Sequence, residues 1–83
     1  MTVRIVVINP NTSDAMTALI DATAQAAAGP GTTVTTLHPA MGPASIESHY
    51  DEALAVPGVL AEIACDPDAD GYVIACFGDP GLD

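Results

Sequence analysis

Three short segments of the chain are rich in β-branched and apolar residues and lack helical spacing. The first, Val3–Ile8, is almost continuously apolar, which is typical of a strand buried on both faces in a parallel sheet. Thr32–Leu37 consists mostly of threonine with one valine, and an apolar run over Tyr72–Cys76 follows Gly71. We therefore predict a strand over each of these segments.

The segment between the first two strands has the spacing of an amphipathic helix. The break Asn9-Pro10-Asn11-Thr12-Ser13 contains turn and N-cap residues, and Asp14 suits the positive N-terminal end of a helix. The pattern predicts a helix to about Ala28, ended by Gly29-Pro30-Gly31. Its apolar positions recur at three- and four-residue intervals: Met16, Leu19, Ile20, Thr23, Ala24 and Ala27.

The segment before the third strand is less regular. Residues 38–48 contain two prolines and a glycine, so we expect a loop there. Asp51–Val56 predicts a short helical turn. Pro57 suits the first position of a separate helix to about Cys65, because a first-turn residue needs no N–H partner. We expect Cys65 to be a small core residue. The apolar stripe of this helix would be Val59, Leu60, Ile63 and Ala64.

The alternation of strands and helices predicts an α/β fold. The order β-α-β-α-β favours a parallel sheet with right-handed crossovers, strand order 2-1-3 and one helix on each face, which makes three layers. The loops Asn9–Ser13 and Cys76–Gly81 would then lie side by side, with Met41–Glu47 over them. The whole chain, residues 1–83, is short enough to form at most one small domain.

The charge balance excludes two classes of partner. Arg4 is the only Lys or Arg against eleven Asp and Glu, which gives a formal net charge of −10. Nucleic acid and anionic membranes would be repelled, so we expect neither as a partner. No apolar stretch reaches the ~20 residues of a membrane span, and the first residues do not resemble a signal peptide. We expect a cytoplasmic protein with reduced thiols.

Cys76 is the candidate reactive group of the predicted sheet edge. Ligands of open α/β sheets bind beyond the carboxyl ends of the strands, where this residue stands. The backbone N–H groups of Phe77 and Gly78 follow it and could stabilise an oxyanion or an enolate. A helix that begins near Asp79-Pro80 would add its positive N-terminus. A buried, inert cysteine is the alternative that the residues leave open.

The first loop is a candidate ligand-binding segment without phosphate-binding glycines. It lacks Gly-x-Gly-x-x-Gly, so the sequence does not predict a dinucleotide site. The amide of Asn11 and the hydroxyls of Thr12 and Ser13 instead suit a small polar or anionic ligand, such as a carboxylate or an imide. Plain N-capping by Thr12 or Ser13 is the structural alternative.

Other chemistries are disfavoured by residue type. A phosphoacceptor receiver domain needs acidic residues where Asn9, Asn11 and Cys76 stand. The run from Asp66 to Gly71 resembles the start of a calcium loop, but its twelfth position is Phe77 rather than a bidentate glutamate. The histidines and cysteines have no metal-ligand spacing, so we expect no metal site.

Four stretches together resemble one family. They are INPNTS (8–13), GPASIES (42–48), DEALAVPGVL (51–60) and VIACFGDPGL (73–82). They are similar to the hydantoin racemases of the aspartate/glutamate/hydantoin racemase superfamily, which includes the allantoin racemases. The resemblance covers nearly all of this chain but only about the first third of such an enzyme. It implies a cofactor-independent racemase of two α/β halves, each of which gives one cysteine to the cleft between them.

The resemblance assigns roles to particular residues. Cys76 matches the first of the two acid/base cysteines. Substrate-holding groups fall on Asn11, Ser45, Ile46 and the backbone of Phe77 and Gly78, and Thr12 beside Asn11 is a further candidate. The expected ligand is a small molecule, and we expect the full-length enzyme to be a homo-oligomer.

The same resemblance makes residues 1–83 an incomplete first α/β domain, without the second cysteine. We therefore expect the chain alone to be inactive. Two alternatives stay open. One is another activity of the superfamily: an amino-acid racemase, a maleate isomerase or an arylmalonate decarboxylase. The other is a non-catalytic remnant or binding domain.

Overall fold

Strands and helices alternate along the whole chain. The computed structural model describes residues 2–82. The elements are β1 (Val3–Ile8), α1 (Asp14–Ala27), β2 (Thr32–Leu37), α2 (His49–Cys65) and β3 (Gly71–Ile74). Within this range neither helix combines the length and the apolar character needed to cross a bilayer.

The three strands form one parallel sheet in the order β2-β1-β3, which confirms the predicted topology. Ile8 is paired with Leu37 on one side and with Ile74 on the other. All three strands therefore end at the same edge of the sheet. We call this the carboxyl edge; the loops that follow β1, β2 and β3 all leave from it.

The two faces of the sheet differ in how well they are covered. Val6 and Ile8 point to the face that carries α2 and form the core with Val59; both strand residues are fully buried. Alternate residues of a strand point to opposite faces, so Ile5 and Val7 face α1. They line an open apolar groove of about 630 Å³ with the apolar positions of α1. The fully buried core therefore lies on the α2 side of the sheet, and an open groove lies on the α1 side.

Helix α1 begins as its sequence predicts. Ser13 is the N-cap, and its hydroxyl accepts a hydrogen bond from the N–H of Met16 at 3.1 Å. The helix ends at Ala27, just before the Gly29-Pro30-Gly31 break. No side chain of α1 is buried, and Leu19 stays 65% exposed over the open groove.

Helix α2 corrects the prediction around Pro57. The chain forms one continuous helix with Pro57 inside it, rather than a short turn followed by a second helix. A proline in a helix interior removes one backbone hydrogen bond. Ala55 and Val59, one turn apart on either side of it, are both buried against the protein interior. Packing of this face therefore holds the two halves in one helix.

The prediction that Cys65 is a core residue is wrong, because the thiol is exposed. The buried face of α2 runs through Ala55 and Val59 to the half-buried Ile63. A residue two positions after Ile63 lies about 200° around the helix from it and therefore faces solvent. Leu60 of the predicted stripe is 51% exposed, since it lies about 100° around the helix from the buried Val59.

Strand β3 is shorter than predicted. It ends at Ile74, so Cys76 lies on the turn beyond the strand rather than at its last position. The backbone N–H of Ala75 still donates to the carbonyl of Ile8 at 2.9 Å. The chain to Leu82 then forms turns, and no helix begins near Asp79 within residues 2–82.

Candidate functional site

The first loop and the Cys76 turn are neighbours at the carboxyl edge. The N–H of Asn9 donates to the carbonyl of Leu37 at 2.9 Å, and that of Ala75 donates to Ile8 at 2.9 Å. Pairing therefore continues one residue beyond β1 and β3 before the chains separate. The loop that follows β1 emerges between the ends of the other two strands.

The turn after β3 holds a half-buried free thiol at Cys76. The N–H of Cys76 donates to the carbonyl of Ile74 at 2.9 Å, and that of Asp79 donates back to Cys76 at 3.0 Å. These bonds close a tight turn in which Asp79 has a positive φ of 48°. The N–H groups of Phe77 and Gly78 donate to no acceptor within residues 2–82. The turn thus offers two backbone donors next to a thiol.

The first loop is held by side-chain hydrogen bonds. The amide oxygen of Asn11 accepts from the side chain of Asn9 at 2.8 Å and from the N–H of Ser13 at 2.9 Å. Asn9 is 2% exposed, whereas Asn11 and Thr12 are half-buried. Asn11 is therefore both fixed in orientation and reachable by a ligand.

A second loop lies against the first. The backbone N–H of Thr12 donates to the carbonyl of Pro43 at 3.1 Å, which joins the loop after β2 to the loop after β1. Ser45 and Ile46 follow on this second loop; Ser45 is exposed and Ile46 is half-buried. The contact confirms that the residue 41–47 segment touches the first loop; the predicted contact with the Cys76–Gly81 loop stays a prediction.

The candidate residues share one edge but no single enclosed cavity. The hollow at Cys76 is lined by Ile74, Ala75 and Phe77, and the side chain of Phe77 is fully exposed. Two clefts of residues 2–82 are lined by Cys76, and neither lining includes Asn11, Thr12, Ser45 or Ile46. Residues 2–82 therefore present an open wall along this edge rather than a closed pocket.

Glu52 belongs to this wall, although sequence reasoning did not single it out. Its carboxylate occupies the space where a side chain at position 78 would lie. His49 lies 3.3 Å from the same carboxylate, and these residues line a cleft of about 610 Å³ beside the Cys76 turn. The Ser48 N-cap was the signal that could have placed Glu52 in the first turn of a helix that starts at this edge.

His38 is a second residue that the sequence did not identify. It follows β2 directly, and its ring nitrogens lie 2.9 Å from the carbonyl of Pro39 and 2.6 Å from the carboxylate of Asp14. The Pro39 carbonyl and then the Asp14 carboxylate raise the pKa of His38 above its ordinary value of 6.5. The loop after β2 is thereby fastened to the start of α1.

Within residues 2–82 no three His, Cys, Asp or Glu side chains come close enough together to hold an ion. The edge instead presents a thiol, side-chain amides and hydroxyls, and backbone donors. Such groups are suited to proton transfer and to binding a small polar molecule.

The described residues form an open parallel α/β sheet with a free thiol and two unengaged backbone donors at its carboxyl edge. The chain belongs to the Asp/Glu/hydantoin racemase family, whose pattern matches residues 5–83. A hydantoin racemase from Pseudomonas sp. (strain NS671) is 53% identical over 95% of this chain. The chain covers 32% of that relative, so it spans about a third of the length of the curated relatives it matches.

Two solved structures have the same fold over this segment. The allantoin racemase from Klebsiella pneumoniae superimposes with a TM-score of 0.91 at 57% identity; the match covers 98% of this chain and 34% of that one. The allantoin racemase from Pseudomonas fluorescens gives a TM-score of 0.84 at 34% identity, over 90% of this chain and 32% of that one. The α/β sheet described here therefore matches about a third of the longer chain in each of these relatives.

Proposed function

We propose that this chain forms the first part of a cofactor-independent racemase that acts on 5-substituted hydantoins or allantoin, with Cys76 as one of two proton-transfer thiols. The turn after β3 carries the proposal, because it combines a half-buried free thiol with two unengaged backbone donors. The names of the similar proteins support the substrate class, since they are hydantoin and allantoin racemases.

The chemistry needs two groups on opposite sides of one carbon. The thiolate of one cysteine takes the proton from the chiral ring carbon, and the electron pair moves onto the adjacent carbonyl as an enolate. The thiol of the other cysteine then returns a proton to the opposite face. Cysteine suits this work because an ordinary thiol pKa of ~8.5 makes both protonation states accessible near neutral pH. The backbone donors of Phe77 and Gly78 would stabilise the enolate oxygen.

The partner thiol has to come from outside residues 2–82. Cys65, the other cysteine of the chain, ends α2 and precedes β3, whereas Cys76 follows β3. The two lie at opposite edges of the sheet, separated by a strand of roughly 15 Å. Cys65 therefore cannot face the same substrate carbon.

The remaining candidates would bind the ring of the substrate. Asn11 and Thr12 on the first loop, with Ser45 and Ile46 on the second, lie on chain segments joined by the Thr12–Pro43 hydrogen bond. They offer amide and hydroxyl groups for the polar atoms of a hydantoin ring and an aliphatic side chain for its substituent. This division of roles is part of the proposal.

A composite enzyme tests it directly. Residues 1–83 replace the matching first third of the Klebsiella pneumoniae allantoin racemase, with which they share 57% identity. We expect this composite to racemise allantoin. A folded composite without turnover on allantoin or 5-substituted hydantoins would contradict the proposal. Turnover of aspartate, glutamate, maleate or an arylmalonate by that protein would instead favour another activity of the superfamily.

The role of Cys76 is tested in the same composite with Cys76→Ser. We expect exchange of deuterium into the reacting carbon of at least one enantiomer to fall by about 100-fold or more, because a positioned acid/base group contributes that much. Cys65→Ser is the matched control and should leave exchange unchanged, since the thiol is exposed at the far edge. Undiminished exchange from both enantiomers in Cys76→Ser would refute the assignment.

The isolated chain is expected to show no turnover, because it supplies only one wall of the cleft. Racemisation by a purified 83-residue chain would contradict this expectation. Cys76→Ser in that chain would then show whether this thiol is the one responsible.

A further inference from the structure

Asn9 is a buried amide inside the loop that carries Asn11. It is 2% exposed, and its side-chain nitrogen donates to two oxygens: Oδ1 of Asn11 at 2.8 Å and Oγ1 of Thr17 at 3.0 Å. Buried polar groups in proteins are almost always hydrogen-bonded, so this pair of acceptors fixes the rotamer of Asn9. Sequence reasoning treats Asn9 only as a turn residue.

The hydroxyl of Thr17 decides which way the Asn9 amide faces. Thr17 donates its one proton to the carbonyl of Ser13 at 2.7 Å, so its oxygen is left as an acceptor. Only the nitrogen end of the Asn9 amide can donate to that oxygen. The two amide ends of Asn9 are therefore not interchangeable.

The orientation of Asn9 passes to Asn11. Oδ1 of Asn11 accepts from Asn9 and from the N–H of Ser13, so both of its lone pairs are used. Nδ2 of Asn11 donates to no acceptor within residues 2–82, and the residue is half-buried. Asn11 therefore presents hydrogen-bond donors, and no acceptor, at the carboxyl edge.

We propose that Asn9 and Thr17 are positioning residues of this site: they hold the Asn11 amide with its nitrogen outward, so that residue 11 donates to an oxygen of the ligand. The inference rests on the proposed function for the identity of that ligand, a ring with carbonyl oxygens. It adds two residues that do not touch the ligand and fixes the polarity of the contact at Asn11. A ring carbonyl is then recognised at this position, and a ring N–H is not.

The test uses Thr17→Val in the composite enzyme. Valine keeps the shape of threonine and removes the oxygen that orients Asn9. We expect KM for allantoin to rise about fivefold with kcat changed less than about twofold, because one hydrogen bond contributes roughly 1 kcal/mol to binding in ground and transition states alike. Thr17→Ser keeps the hydroxyl and should restore the wild-type KM.

Thr23→Val is the matched control. Thr23 lies on the same helix, and its hydroxyl also donates to the carbonyl four residues earlier, that of Leu19, at 3.0 Å. It has no contact with Asn9 or Asn11, so KM should not change. An equal rise in KM for Thr17→Val and Thr23→Val would mean that loss of a threonine hydroxyl raises KM by weakening helix α1 in general. That result would overturn the proposal.

A double-mutant cycle separates positioning from a direct effect. If Thr17 acts through Asn11, Thr17→Val should add nothing to KM once Asn11→Ala is present. An undiminished further rise in that background would show that Thr17 acts by another route, which contradicts the inference.

A spectroscopic measurement keeps the inference separate from the proposed function. Asparagine-selective ¹⁵N labelling of the unliganded composite reports the side-chain NH₂ groups of residues 9 and 11. Asn11→Ala assigns the signal of residue 11, and Asn9→Ala assigns that of residue 9. We expect the Asn9 protons to resist solvent exchange, the Asn11 protons to exchange freely, and Thr17→Val but not Thr23→Val to shift both resonances. If the composite has no turnover but the NMR shifts are as expected, the proposed function is refuted and the positioning role stands. If Thr17→Val leaves the Asn11 resonance unmoved, the positioning role is refuted.

Discussion

The imidazole of His38 lies 2.6 Å from the carboxylate of Asp14, so the end of β2 is joined to the start of α1 by a charged hydrogen bond. The other ring nitrogen lies 2.9 Å from the carbonyl of Pro39, which can only accept. Two acceptors around one ring favour the doubly protonated imidazolium. The second loop of the candidate site begins at this residue.

This arrangement predicts a pH-dependent stability. The Pro39 carbonyl, the Asp14 carboxylate and a weaker attraction from Glu62 on α2 raise the pKa of His38 above 6.5, and partial burial lowers it by less. A pKa that is higher in the folded state gives stability that is complete below about 6.5 and is lost as pH rises through the folded value. We expect His38→Gln to destabilise the chain below pH 6.5 and to matter less at high pH.

Unfolding with urea at a series of pH values measures this effect, and NMR titration of the His38 ring gives its pKa directly. The contribution should be at most about 1 kcal/mol, because Asp14 is exposed to solvent. Asp14→Asn should lower the His38 pKa only in part, since the Pro39 carbonyl remains. A difference in the free energy of unfolding between wild type and His38→Gln that grows with pH would contradict the predicted direction of the pH dependence.

Gly78 and Glu52 are predicted to be energetically coupled. A Cβ at position 78 would overlap the Glu52 carboxylate, which sits at the end of a flexible side chain. Gly78→Ala should therefore push Glu52 outward and destabilise the protein by about 1 kcal/mol, as modest overpacking does. In a Glu52→Ala background the same substitution should be nearly neutral.

The free energies of unfolding of the four variants give this coupling as a double-mutant cycle. Glu62→Ala is the matched control, because Glu62 lies on α2 beside Pro39 and Gly58 rather than at the Cys76 turn. It should leave the effect of Gly78→Ala unchanged. If Gly78→Ala lowers the free energy of unfolding equally with and without Glu52, overlap with the Glu52 carboxylate is not the reason that residue 78 is a glycine.

The sequence predicts the sheet because local signals and tertiary packing agree there. Val3–Ile8 is apolar except for Arg4, and in the structure it is the central strand with neighbours on both sides. At Pro57 the two disagree: the local rule places a helix start there, but burial of Ala55 and Val59 keeps one helix. The helix stays continuous because burial of apolar side chains on both sides of the proline stabilises it by more than the one missing backbone hydrogen bond costs.

The candidate site is less accessible to sequence reasoning. Cys76 and Asn11 stand out because reactive or amide side chains follow strands. Glu52 and Thr17 do not, since their roles depend on atoms that only the fold brings near, Gly78 in one case and Asn9 in the other. Such residues look like ordinary helix positions until the loops are placed.

Pro57→Ala is expected to stabilise the chain. Alanine restores an N–H to the helix interior, where proline leaves the carbonyl four residues earlier without its helical partner. Pro57 is exposed, so its removal leaves no hole in the core. The gain should be about 1–2 kcal/mol, because greater freedom of the unfolded chain offsets part of it. Thermal unfolding measures it, and a lower Tm would mean that Pro57 serves packing of α2.

Gly58→Ala, at the next residue, is expected to do the opposite. Alanine raises helix propensity by about 1 kcal/mol, which alone would stabilise α2. However, a Cβ at residue 58 would lie 2.7 Å from the Cβ of Pro39, which is buried and cannot swing aside. The overlap should destabilise the protein by about 1–3 kcal/mol and give a net loss.

Gly29→Ala is the matched control for that substitution. A Cβ at Gly29 meets nothing within 4 Å, so its effect should be neutral or slightly stabilising in the same thermal unfolding experiment. A stable Gly58→Ala variant would mean that the loop after β2 moves away from α2. Because that loop carries Ser45 and Ile46, the KM of the composite enzyme should then rise, and the pair of measurements would show whether α2 holds the second loop in place.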